Sequence, residues 1–218
     1  MPLNNNSKYL LALHSSSEKL GVAILDLEDS SPRIKDLTIE AGRTLSNNLF
    51  SHIETLLPAN RWKQIARIAV ATGPGGFTGT RLTIAMTRAL AQQLNCQLDG
   101  VSSFSLMAPR LLRRLDHVQI NSSFWITKML EKRGLIGGQY KIKSSNSNEG
   151  IIEVVELQEP HLLPLGVTVQ PNLSCEENVK EDTKRLLRIS LINHRDDVKS
   201  PWEKVLPIYP TSPVKCSR

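Results

Sequence analysis

Apolar positions along the first hundred residues follow two different periods. Tyr9-Leu10-Leu11-Ala12-Leu13 is an unbroken apolar run ending at His14, the pattern of a strand covered on both faces. The polar stretch Ser15-Ser16-Ser17-Glu18-Lys19 reads as a turn, and Leu20-Gly21-Val22-Ala23-Ile24-Leu25-Asp26 as the partner strand of a hairpin. Residues 34–41 predict a third strand of alternating polarity. Leu45, Leu49, Ile53 and Leu56 then recur at helical spacing, and Pro58 stops that helix. Residues 65–71 predict a fourth, apolar strand. In the helix that follows, Leu82, Ala85, Met86, Ala89, Leu90 and Gln93 are read as sharing one side. A short strand at 97–101 and a helix start at Ser102-Ser103 complete an α/β arrangement with a mixed sheet.

The second half is less regular. Strands are predicted at 124–129, 138–142 and 151–157, with the polar run from Ser144 to Gly150 as a hairpin loop. An amphipathic helix is predicted over 178–191, with Val179, Leu186, Leu187 and Leu191 as its apolar members. The tail from Pro201, carrying Pro207, Pro210 and Pro213, reads as extended. The pattern change after Leu115 suggests two lobes, 1–115 and a smaller 116–218.

Composition narrows the class. A chain of 218 residues with 40% hydrophobic and 22% charged positions can bury a real core. No apolar run approaches the roughly 20 residues of a membrane span, and Met1-Pro2-Leu3-Asn4-Asn5-Asn6 lacks the regions of a signal peptide. A cytoplasmic protein with no membrane contact is expected. Cys96, Cys175 and Cys216 form no CxxC pair and fit no disulfide framework, so reduced thiols are expected. The net charge is +6, and residues 1–115 hold 13 Lys/Arg against 8 Asp/Glu. Arg110, Arg113 and Arg114 cluster there, as do Arg81 and Arg88 seven apart. That excess suits RNA or an acidic partner as well as an ordinary solvated face, and no aromatic residues interleave with it.

Thr72-Gly73-Pro74-Gly75-Gly76-Phe77-Thr78-Gly79-Thr80-Arg81 follows a strand and opens a helix. Such a turn aims backbone N–H groups at an anion, and Gly73, Gly75, Gly76, Thr78, Gly79 and Arg81 are the candidate contacts. The Walker lysine is missing, because Gly79-Thr80-Arg81 stands where Gly-Lys-Ser/Thr would be. Thr78 occupies the third glycine position of the dinucleotide fingerprint. A purely structural turn, using glycine for positive φ and close packing, remains the other reading of the same residues.

The segment Gly73–Arg81 resembles the Gly-Pro-Gly-Ser-Phe-Thr-Gly-x-Arg signature of the TsaB (YeaZ) family, with Gly76 in place of the serine. Leu11-Ala12-Leu13-His14-Ser15-Ser16 is similar to the family's Leu-Ala-Leu-Asp-Thr-Ser strand, and Gly100-Val101-Ser102-Ser103 to its Gly-Val-Ser-Ser. The likeness covers about the first 110 residues; beyond them, Lys132-Arg133-Gly134 echoes the family's Asp-Ala-Arg-x-Gly without its aspartate. The resemblance implies an actin/Hsp70/sugar-kinase-like fold of two similar α/β lobes, the second short and diverged. It implies an accessory subunit in forming threonylcarbamoyladenosine next to the anticodon of tRNA. TsaB pairs there with the transferase TsaD, the ATPase TsaE joins the assembly, and TsaB can also form homodimers. Nucleotide, ATP or ADP, is expected only at the interface of such a complex.

Chemistry on this chain alone is not indicated. No two of His14, His52, His117, His161 and His194 are four apart, so the His-x-x-x-His metal motif of TsaD-type proteins is missing. His14 stands where actin-like ATPases carry an acidic residue, and Mg²⁺ prefers carboxylate oxygen. The first two helices carry apolar residues beyond one face, which makes Leu49, Phe50, His52, Ile53, Leu82 and Met86 the candidate partner surface. A divergent ATPase or phosphotransferase using the glycine loop, and a direct tRNA-binding protein, are the alternative readings.

Overall fold

The computed structural model describes residues 8–29, 33–113, 121–131, 133–146 and 151–210. Calls that fell on Arg114, His117, Lys132, Pro213 and Cys216 lie outside them. The chain divides into two units, Met1–Val101 with Asn178–Pro207, and Ser102–Glu177 with Ile208–Arg218.

The first unit is built on a five-stranded sheet. β1 (Tyr9–His14) lies at its centre, antiparallel to β2 (Lys19–Asp26), which pairs antiparallel with the edge strand β3 (Lys35–Glu40). On the other side β4 (Ile65–Ala71) and β5 (Gln97–Val101) run parallel to β1, giving the order β3-β2-β1-β4-β5. Every residue of β1 is buried, as its unbroken apolar run requires. One face packs Leu11, Leu13, Val22, Ile68 and Val70 against Leu45, Leu49 and Ile53 of α1 (Leu45–Leu56) and Ile84 and Leu90 of α2 (Phe77–Leu94).

The other face is closed by a helix from far along the chain. α4 (Val179–Arg195) packs on β1, β2 and β4 and buries Val179, Thr183, Leu186, Leu187 and Ser190. Gly21 makes the close approach possible. A Cβ there would lie 2.1 Å from Thr183 Oγ1 and 2.9 Å from Val179 Cγ1. Asn178 caps the helix by accepting the Glu181 N–H at 3.2 Å, and Glu181 and Asp182 in the first turn and Arg195 in the last are favourable to the helix dipole. A buried ion pair fastens the segment beyond it. Arg67 of β4 lies 2.6 Å from Asp99 of β5, and both are almost inaccessible. The guanidinium also donates to the Val198 carbonyl and to Ser200 Oγ, while Asn193 donates to the same carboxylate oxygen at 3.0 Å.

The second unit carries a four-stranded sheet, β8-β7-β6-β9, formed by β6 (Ser123–Leu130), β7 (Gly134–Asn146), β8 (Ile151–Leu162) and β9 (Asn172–Ser174). Its topology repeats β3-β2-β1-β4. β6, β7 and β8 form an antiparallel meander, and β9 runs parallel to β6. The connection before β9 has no helix in the place that α1 takes in the first unit. α3 (Ser103–Leu112) covers this sheet, packing Phe104, Met107, Ala108 and Leu111 on Phe124, Ile126, Tyr140 and Ile142.

Three expectations are corrected. The division falls after Val101 rather than Leu115, and α4 returns to the first unit, because its apolar stripe matches the open face of the first sheet. In α2 the buried side is Thr80, Thr83, Ile84, Thr87, Leu90 and Ala91, whereas Ala85, Ala89 and Gln93 are exposed and Leu82 and Met86 half-buried. The threonines tolerate burial because their hydroxyls are satisfied, Thr87 by the Thr83 carbonyl and Thr83 by Ser15 Oγ at 2.7 Å. Lastly, β7 extends to Asn146, paired with Ile151, so Ser144, Ser145 and Asn146 of the predicted loop are strand, and the rest of that loop, 147–150, lies outside the described residues.

Candidate functional site

Parallel pairing of β1 and β4 brings their C-terminal ends side by side. The Ser15–Ser17 turn follows one strand and the glycine loop follows the other. Gly73 has φ +94°, the left-handed region, which accounts for a glycine there. Gly75 lies flat against the turn, and a Cβ on it would come within 2.1 Å of the Ser16 carbonyl oxygen. The Gly76 N–H donates to that same oxygen at 2.6 Å. Gly79 also faces the turn, with Ser15 O 3.2 Å from where its Cβ would be, and Ser15 Oγ lies 3.2 Å from the Gly79 carbonyl.

Docking on the Ser15–Ser17 turn therefore accounts for Gly75 and Gly79 without a ligand, and it commits the Gly76 amide. The Thr78 side chain is exposed in the first turn of α2. Arg81 lies on the Phe77 ring, its Cζ 3.3 Å from the centroid. The loop is thus a backbone brace between the hairpin and α2, and the six candidate anion contacts do not share one role.

His14, at the end of β1, is 1% exposed, with Ser16 Oγ 3.3–3.4 Å from its ring nitrogens. Burial pushes the imidazole down to about 4, so it is neutral at physiological pH. Among the described residues no three His, Cys, Asp or Glu side chains form a group that could hold a metal ion. Burial also pushes the Cys96 thiol up to about 12, which makes it unreactive.

The second candidate feature is the outer side of α1 and α2. The structure separates its predicted members. Leu49 and Ile53 are 1% and 0% exposed within the unit's own core and are not available to a partner. Their helical spacing with Leu45 marks one stripe, and that stripe is the inward one. Phe50 is exposed and lies 5.8 Å from Trp62, centroid to centroid. His52, Leu82 and Met86 are half-buried, and Phe77 is 49% exposed. Phe50, Phe77, Leu82 and Met86 are among the apolar side chains these two helices leave accessible, with the exposed Ala85 and Ala89 and the half-buried Leu56 and Leu94. Trp62 and Phe77 were missed as members. Both are large apolar side chains just outside the helical repeats used to read the face.

A Pseudomonas aeruginosa crystal structure described as similar to peptidase YeaZ superposes with a TM-score of 0.69, covering 94% of this chain and 100% of that one, at 20% identity. The fold is that of YeaZ. A second structure, YeaZ from Pseudomonas aeruginosa, gives a TM-score of 0.65 over 93% of this chain and 99% of that one, at 19% identity. The resemblance to YeaZ is borne out at the level of fold, and so is the α/β class with mixed sheets. Residues 39–115 match the family model described as TsaD, tRNA N6-adenosine threonylcarbamoyltransferase. A Mycoplasma pneumoniae protein, the MG208 homolog, is 33% identical over 107 residues, which cover 47% of this chain and 54% of that protein. The chain spans about half the length of the curated relatives it matches. The YeaZ-like chain has no helix, among the described residues, long and apolar enough to cross a membrane.

Proposed function

We propose that this chain is a non-catalytic scaffold subunit that binds a TsaD-type transferase and supports formation of threonylcarbamoyladenosine in tRNA. The observation that carries this reading is the combination of a YeaZ fold over nearly the whole chain with a TsaD-family match across residues 39–115. That stretch holds α1, the glycine loop and α2. The loop geometry supports a structural role, since its glycines serve backbone packing on Ser15 and Ser16. His14, neutral and buried, offers no carboxylate for Mg²⁺.

The contact we assign is the accessible apolar set on α1 and α2, with Phe50 on its Trp62 support at the centre. Aromatic side chains held by a packed neighbour are the usual anchors of protein interfaces. The test is capture of TsaD from the same source by the tagged full chain, followed by size-exclusion chromatography with light scattering. Wild type is expected to form a stable one-to-one complex. Phe50→Glu should lose it, weakening capture at least about 30-fold (about 2 kcal/mol for an anchor), with an unchanged melting temperature. Undiminished capture by Phe50→Glu would remove this surface from the model, and no complex with wild type would remove the scaffold reading. A second copy of the chain, or TsaE, is scored in the same experiment by the mass of the species.

A further inference from the structure

Net charge placed the basic excess in residues 1–115, but many of those arginines are engaged inside the fold. Arg67 is buried on Asp99, Arg81 lies on Phe77, Arg88 sits over Trp202, and Arg61 donates to the Tyr9 hydroxyl. Positive charge is instead concentrated on α4. At 3.6 residues per turn, Lys180, Lys184, Arg188, Leu191 and Arg195 fall within about 80° of arc, and the row of cations extends about 22 Å along the axis. Lys180, Arg188 and Arg195 are exposed.

The acids facing this row are few. Asp36 of β3 lies 4.0 Å from Lys180 and 3.7 Å from Lys184, and Glu181 is 3.5 Å from Lys184. Asp196 follows the helix, and Asp197 is paired with Lys199 at 2.8 Å. Arg188 and Arg195 have no ion-pair partner among the described residues.

We infer that the outer face of α4 is a docking surface for the phosphate backbone of RNA, with Arg188 and Arg195 as its principal contacts. Charge complementarity selects the partner. The apolar stripe of α4 is spent on the sheet, and Ile192, 53% exposed, is too little apolar surface to hold the helix in a bilayer. The cationic arc carries no aromatic residue, and its one apolar member, Leu191, is half-buried, so it lacks the aromatic anchors typical of a protein interface. Two lysines and two arginines in one row, with no further chemistry among them, suit a backbone of phosphates read without base contacts. The choice of RNA over other polyanions rests on the function proposed above.

The test measures equilibrium binding of the full chain to a tRNA transcript between about 50 and 200 mM salt. The double variant Arg188→Gln/Arg195→Gln is compared with Lys19→Gln/Lys63→Gln, which removes equal charge elsewhere on exposed positions. The arginine variant is expected to bind at least tenfold more weakly. Its salt slope should be shallower by about 1.5, since each lost phosphate contact removes roughly 0.7–0.9. The lysine variant should stay near wild type, and circular dichroism melts should be the same for all three. Equal weakening by the lysine variant would reduce the effect to net charge and overturn the assignment. So would absence of wild-type binding at the lowest salt, or equally tight binding of polyglutamate through the same arginines, which would make the partner an acidic protein. TsaD capture is read in parallel. RNA binding without TsaD pairing would end the scaffold reading and leave this surface standing, while TsaD pairing without RNA binding would do the reverse.

Discussion

The imidazole of His14 has Ser16 Oγ beside it and almost no solvent, and that determines its charge. In the unfolded chain it titrates near its usual 6.5, and in the fold burial pushes it down to about 4. Between those values the unfolded chain takes up a proton that the folded chain refuses. The stabilisation is therefore complete above about pH 6.5 and is lost as pH falls toward 4, about 3 kcal/mol in all. Urea melts of wild type and His14→Gln should show it. The wild-type advantage should shrink by about 3 kcal/mol between about pH 7 and 4, and a constant difference would mean the ring is not held neutral. The sequence did reveal that His14 replaces a carboxylate. It could not reveal that Arg67, one more positive charge in a count, is buried on Asp99 with Asn193 and Ser200 around it. Those partners lie 32 to 133 positions away along the chain, beyond the reach of any local pattern.

The glycine loop was legible as a motif but not as a mechanism. Its residues name a resemblance, yet only the packing tells which glycine is indispensable. Gly75→Ala would force a Cβ into the Ser16 backbone, and it should destabilise the chain by about 2–3 kcal/mol, as overpacking does. At Gly76 the nearest atom to a Cβ is 3.7 Å away, and φ is −57°, which any residue adopts. Gly76→Ser should thus change stability by no more than a few tenths of a kcal/mol. Paired thermal melts decide the matter, and a tolerated Gly75→Ala would refute the brace. Strand and helix positions in the first unit were readable because runs and repeats there are strong. The face of α2 was misread because Thr80, Thr83 and Thr87 were counted as polar, although their own period of three and four marks the inward side. On α1, Leu49 and Ile53 belong to the core for the ordinary reason that a helix with one rich stripe turns it inward.

The exchange of helices is the property no local reading could supply. α3 follows the last strand of the first sheet and covers the second sheet, whereas α4 follows the last strand of the second and covers the first. A fragment of residues 1–115 should therefore leave Leu10, Ala12 and Leu25 uncovered on one face of the first sheet. It should be insoluble or melt without cooperativity. A fusion of 1–101 to 178–207 through a flexible linker should melt as a single cooperative unit in calorimetry. A well-behaved 1–115 fragment would contradict the assignment of α4. The same arrangement bears on synthesis at the ribosome. When Val101 emerges, the first sheet has five strands but only one clad face, and its cover is complete only at Arg195, about 94 residues downstream (195 minus 101). At about 5–20 residues per second the nascent chain carries an open hydrophobic sheet for roughly 5–19 s. Over that interval a holdase chaperone has a defined client surface, and it vanishes when α4 arrives.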